Sequence, residues 1–161
     1  MIMKKIIGTC LLTSAILLNA QEKPTYPELT ANTKRVDLKL PKIENEKDYK
    51  VEVRFGLEIN VSECEDPKDF TFNKQNLKHE YGLPNYRYEY YSVAENQPIE
   101  IFSANNPGNC DKNKKTVKKI LSSQNIFMEY NGYFSTPFFI PKNWTVEYKL
   151  WKIDGEFKTA K

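Results

Sequence analysis

Apolar and polar residues take turns along most of this chain, and that two-residue period limits what it can become. Val36, Leu38 and Leu40 alternate with Asp37 and Lys39, and Tyr49, Val51, Val53 and Phe55 alternate with Lys50, Glu52 and Arg54 up to Gly56. Leu57, Ile59 and Val61 carry the pattern on to Cys64. Such a period sends successive side chains to opposite faces of a strand, and no segment shows the 3.6-residue repeat of a helix. Further strands are expected at residues 70–72, 86–93, 98–102, 116–121, 126–130, 138–140 and 144–153. Short strands separated by Asn, Pro and Gly predict an all-β fold, an antiparallel sandwich or barrel. Residues 21–33 read as an extended arm ahead of it.

Residues 1–20 have the parts of a secretory signal: Lys4 and Lys5, an apolar run from Ile6 to Leu18, and a small-residue cleavage site before Gln21. The run is shorter than the roughly 20 apolar residues a membrane span needs, so no membrane partner is expected. A lipid anchor on Cys10 is the alternative, with little apolar sequence ahead of that cysteine. Residues 21–161 then form a single domain in the periplasm. Removing the signal leaves 22 basic against 21 acidic side chains, which is no electrostatic footprint for nucleic acid. The run Lys112, Lys114, Lys115, Lys118 and Lys119 reads as a solvated hairpin. Cys64 and Cys110 remain, and an oxidising compartment lets them pair in the one way two cysteines allow. Cys110 follows a Pro/Asn/Gly-rich stretch from Pro98 to Asn109. A disulfide holding a protruding segment is how many protease inhibitors present bait. A bond that only staples a small fold is the alternative.

Little here supports catalysis. His79 is the only histidine and sits in the polar stretch 73–80, read as surface; no Gly-x-Ser-x-Gly motif accompanies it. A disulfide removes the cysteines from any zinc set, so no metal is expected. The six glycines form no phosphate-cradling loop, and no cofactor is expected. Glu63, Glu65 and Asp66 flank a cysteine and read as solvated acids. Elimination favours binding over turnover.

The run 144–153 carries large apolar groups on both faces: Trp144, Val146, Tyr148 and Leu150 on one, Trp151 and Ile153 on the other. A strand of this kind is central in a sheet, or else a partner covers its second face.

The order of these elements resembles the ecotin family from Tyr26 to Ile153. Tyr26-Pro27, Lys34-Arg35 and Lys50-Val51-Glu52-Val53 look like its opening strands. Leu83-Pro84-Asn85-Tyr86-Arg87-Tyr88-Glu89-Tyr90-Tyr91 is similar to its aromatic segment, and Cys64 and Cys110 sit where its disulfide sits. The match runs through Met128-Glu129-Tyr130-Asn131 to Val146-Glu147-Tyr148-Lys149-Leu150-Trp151-Lys152.

That resemblance implies a periplasmic homodimer that exchanges its C-terminal arm, residues 146–161 with Val146, Tyr148, Leu150 and Trp151, and inhibits trypsin-fold serine proteases with a disulfide-anchored, substrate-like loop. Aligning Pro98 with a family proline places the reactive bond at Phe102–Ser103, within a loop that includes Glu100, Ile101 and Ala104. Counting back from Cys110 puts Pro107 there instead, whose ring distorts a substrate-like bond. Ile99 and Ile101 claim one face of the segment, which leaves Phe102 with Glu100 on the exposed one. An aromatic at that position implies chymotrypsin-like or elastase-like targets. The secondary protease-binding surface aligns with Asn85, Tyr86, Arg87, Glu129, Asn131, Tyr133 and Phe134. This chain departs from the family pattern in lacking a methionine pair before Cys110, in about five extra residues from Asn105 to Asn109, and in others including Glu65-Asp66-Pro67-Lys68. The rival reading is the same scaffold holding a ligand without inhibiting anything.

Overall fold

The computed structural model describes residues 23–84, 87–105, 108, 110–157, 159 and 160. Its strands are β1 (Thr33–Leu38), β2 (Tyr49–Ser62), β3 (Glu65–Phe72), β4 (Leu77–Leu83), β5 (Arg87–Val93), β6 (Ile99–Asn105), β7 (Lys115–Ser122), β8 (Ile126–Glu129), β9 (Thr136–Pro141) and β10 (Trp144–Lys152). No α-helix occurs among the described residues; Glu46–Asp48 and Lys74–Asn76 are single 3-10 turns. One sheet has the order β1-β9-β5-β4, the other β10-β2-β7-β3-β6 with β8 beside β2.

The two sheets share one core. Val51, Val53, Phe55 and Leu57 of β2 meet Phe70 and Phe72 of β3, Tyr91 and Val93 of β5, and Phe138 and Ile140 of β9. Phe55 lies at 5.7 Å from Phe72, 6.3 Å from Phe138 and 5.5 Å from Trp144. Edge-on and tilted contacts of this sort add to what area burial alone contributes. The arm at 23–30 lies on the outer side of the four-stranded sheet. Thr25 N donates to Gly82 O, Tyr26 stands edge-on to Tyr90, and the Arg35 guanidinium caps the Tyr26 ring at 4.8 Å.

The structure corrects the sequence reading in sheet direction and at Gly56, adds a strand where only an exposed polar stretch was expected, and decides one open alternative. The sheets are mixed rather than antiparallel, because β3 runs parallel to β7 and β5 parallel to β9. Alternation dictates faces and says nothing of the direction of a neighbour reached through a long connection. Gly56 does not end a strand; β2 passes through it. A Cβ there would come within 2.2 Å of Thr145 Oγ1 and 3.0 Å of Lys119 Cε, so the glycine admits side chains from two neighbouring strands. The polar stretch around His79 is largely strand β4, an edge whose polar residues face water. Finally, β10 is not central. It pairs with β2 of its own chain from Trp144 opposite Leu57 to Lys152 opposite Tyr49, and forms an edge of its sheet.

Candidate functional site

Ahead of Cys110, β6 (Ile99–Asn105) forms the other edge of the six-stranded sheet. β3 pairs with β6 from Phe72 opposite Ile99 to Glu65 opposite Asn105. The peptide therefore does not stand clear of the sheet as the bait reading expects. Of the inserted residues, Glu65 lies opposite Asn105, Asp66 opposite Ala104 and Pro67 opposite Ser103, and such pairing satisfies backbone groups that a free loop would leave to water; Asn106, Pro107 and Asn109 lie outside the described residues.

Two features mark the middle of this strand. Ile101 and Ile99 lie opposite the core residues Phe70 and Phe72, so they take the inward-facing side, although Ile101 stays partly exposed. Phe102 lies opposite Asp69 on the outward side and is 53% exposed. Glu100, Ser103 and Ala104 are exposed as well. The β3–β6 register slips between Pro67 and Asp69, where Pro67 opposes Ser103 and Asp69 opposes Phe102. Lys68 is thus an extra residue facing the Phe102–Ser103 peptide, and Pro67 beside it has no N–H to donate. A bulge bends and twists its strand, so the ribbon is least regular at this bond.

Beyond the ribbon, Cys64 and Cys110 form the disulfide, with Cα atoms 5.3 Å apart. Glu63 and Asp66 nearby are paired with lysines. The Lys114 ammonium holds the Glu63 carboxyl below its usual range, and Lys68 with Lys118 does the same for Asp66. Both are acids already ionised and paired.

A second exposed surface comes from the connection between β8 and β9. Asn131 Oδ1 accepts hydrogen bonds from Tyr133 N at 3.0 Å and Phe134 N at 3.1 Å. That turn holds both aromatic side chains outward, at 70% and 69% exposure. The Lys42 ammonium lies 4.8 Å above the Tyr133 ring, and Glu129 pairs with Lys50. Sequence reasoning missed Gly132 and Glu46. Gly132 N donates to Glu46 Oε1 at 3.1 Å, and a Cβ on Gly132 would approach Pro41 O to 2.7 Å. The Asn-Gly pair was the available signal for a tight turn.

Asn85 and Tyr86 lie outside the described residues, and Arg87 is described as the first backbone position of β5. Tyr88 follows at φ 57°, uncommon for an aromatic residue. Because β5 and β9 are parallel, with Tyr91 opposite Phe138, counting back along both brings the start of β5 at Arg87 and the 131–135 turn to the same end of the sheet. Asn131, Tyr133 and Phe134 thus lie at the end of the four-stranded sheet where β5 begins, whereas Glu129 and Phe102 belong to the six-stranded sheet.

The arm residues divide between two faces. Val146, Tyr148 and Leu150 lie opposite the core residues Phe55, Val53 and Val51. Yet Tyr148 and Leu150 remain 49% and 37% exposed, since β10 is an edge strand. Trp151 takes the outer face, where the Lys149 ammonium rests 4.2 Å from its ring and its indole N–H reaches Glu52.

These features bring together a disulfide-closed edge strand with an exposed aromatic, a separate aromatic turn and an apolar terminal strand. A sequence model of the Ecotin family matches residues 22–153. The protein therefore belongs to the ecotin family, whose members are periplasmic inhibitors of serine proteases rather than enzymes.

Proposed function

We propose that this protein inhibits trypsin-fold serine proteases by offering β6 as a pseudo-substrate, with Phe102 filling the specificity pocket and Ser103 following the reactive bond. The observation that carries the reading is the outward Phe102 opposite the Lys68 bulge, on a strand whose other edge pairs with no described strand. A protease binds its substrate as an added extended strand, with main-chain hydrogen bonds for affinity and side-chain pockets for selectivity. A strand already extended by β3 and closed by the disulfide avoids part of the ordering cost, about 0.5–1.5 kcal/mol per immobilised side chain. An apolar ring favours chymotrypsin-like or elastase-like pockets over one with an acidic floor.

Residues 1–20 export the chain to the periplasm, and residues 21–161 act as one domain. Two copies exchange their arms through residues 146–161, burying Tyr148 and Leu150. Each protease is then held by β6 of one subunit and by the aromatic turn of the other, a bivalency worth about 10²–10⁴ in avidity where the geometry fits.

A second reading rests on the continuous β3–β6 pairing: a scaffold whose ribbon has become structural and which binds a ligand without inhibiting. Titration of the purified protein against chymotrypsin, elastase and trypsin separates the two. Stoichiometric loss of chymotrypsin activity, with slow cleavage mapped by mass spectrometry to Phe102–Ser103, supports inhibition. Full activity of all three enzymes leaves the scaffold reading.

A further inference from the structure

Phe102 projects from the outer face of the six-stranded sheet, not from the tip of a loop. Its row can be followed across that face. Phe102 of β6 lies opposite Asp69 of β3, Asp69 opposite Leu121 of β7, and Leu121 opposite Gly56 of β2. Neighbouring strands are about 4.8 Å apart, which puts Leu121 about 10 Å from Phe102. A standard interface covers roughly 800 Å² of each partner, a disc about 16 Å in radius. An enzyme that seats Phe102 from the outer face and is centred on it covers β3 and β7 as well.

We infer that the outer face of β3 and β7 is part of the protease footprint, and that Asp69, Glu100 and Leu121 select enzymes with basic side chains around an apolar specificity pocket. This rests on the assignment of Phe102 to that pocket. Glu100 lies two residues before Phe102 on the same face. Among the described residues, neither its carboxylate nor that of Asp69 has an ion-pair or hydrogen-bond partner. The nearby cations turn elsewhere: Lys68 and Lys118 share Asp66, and Lys119 pairs with Glu147. Two carboxylates without direct partners thus flank the ring, and they repel an acidic rim while attracting a basic one. Leu121 is 37% exposed on the same row, an apolar surface that an overlying enzyme removes from water.

The test measures association rates and inhibition constants with cationic pancreatic α-chymotrypsin across a range of ionic strength. Asp69→Asn with Glu100→Gln is expected to slow association about three- to tenfold at low salt and to flatten its salt dependence, as loss of rim charge does. Leu121→Ser is expected to weaken inhibition about five- to twentyfold, the share of a leucine burial available to a partly exposed side chain. Thermal unfolding of each variant confirms that the sheet is intact, and the near-isosteric Asp69→Asn change keeps the question answerable should Leu121→Ser disturb β7. Phe102→Ala separates the two levels of the argument. If it abolishes inhibition while the face variants stay within twofold of the parent at every salt concentration, the footprint is wrong and the reactive bond stands. If Phe102→Ala inhibits as well as the parent, the reactive-bond assignment is overturned and the footprint with it.

Discussion

The indole N–H of Trp151 donates to Oε2 of Glu52 at 2.8 Å, tying the end of β10 to a residue that is only 6% exposed. Asn125 Nδ2 and Arg54 Nε donate to the other oxygen, at 3.1 and 2.9 Å. Bonds from Asn125 and Trp151, with Arg54 adding a bond and a charge, hold the Glu52 carboxyl down to about 2. Of these donors Trp151 alone belongs to β10, so the carboxylate adds a side-chain tie to the backbone pairing of β10 with β2.

Acid should therefore loosen the arm. A carboxylate whose folded pKa lies below its unfolded one stabilises the fold fully above about pH 5 and loses that contribution as pH falls toward 2. Glu52→Gln should cost about 1–3 kcal/mol at neutral pH, in line with hydrogen bonds to a charged group. It should also flatten the loss of stability between pH 5 and 2. Chemical denaturation at several pH values reads both effects, and an unchanged acid limb would show that other groups control it.

Phe102→Arg should move the target. With an arginine in its place, inhibition of chymotrypsin should fall at least 10²-fold and inhibition of trypsin should appear, since a cation then meets an acidic pocket floor. Inhibition constants with both enzymes provide the comparison. A variant that inhibits chymotrypsin unchanged places the reactive bond elsewhere.

Asn131→Ala removes the acceptor of two backbone N–H groups in the aromatic turn. The cost to stability should be about 1 kcal/mol, as for other capping side chains. Tyr133 and Phe134 should then be less fixed, and protease binding weaker by a few-fold through a faster off-rate. Surface plasmon resonance against immobilised chymotrypsin measures that rate.

Tyr148→Lys combined with Leu150→Lys should convert a dimer to a monomer. Both side chains lie on the inward-facing row of β10 and are left open at the edge of the sheet. Sedimentation velocity at micromolar concentration is the measurement. A parent protein that already sediments as a monomer removes the arm-exchange proposal.

How far the residues alone reach can be judged strand by strand. The alternation around Val51 and Val53, Phe70 and Phe72, and Phe138 and Ile140 identified core strands, because burial of one face imposes a period of two whatever the partner. The same logic put Phe102 opposite in sense to Ile99 and Ile101, and its ring does face solvent. The pattern failed at Gly56, whose role depends on Thr145 and Lys119, residues far away in the chain. It failed again at His79 and its neighbours, where an edge strand needs few apolar groups to hold its place. Glu52 was read as one polar residue among others, since nothing local announces that Asn125, Arg54 and Trp151 converge on it.

By itself, then, the amino-acid order determined strand faces through local periodicity, left Cys64 and Cys110 one possible pairing, and carried the residues by which the chain matches the ecotin family. Tertiary structure alone decided that β7 separates β2 from β3, that β10 lies on an edge, and that the Phe102 segment is a sheet strand bulged opposite Lys68. Those outcomes depend on which strands become neighbours, and neighbours are chosen by the closing of a shared core among residues distant in sequence, a condition no single segment encodes.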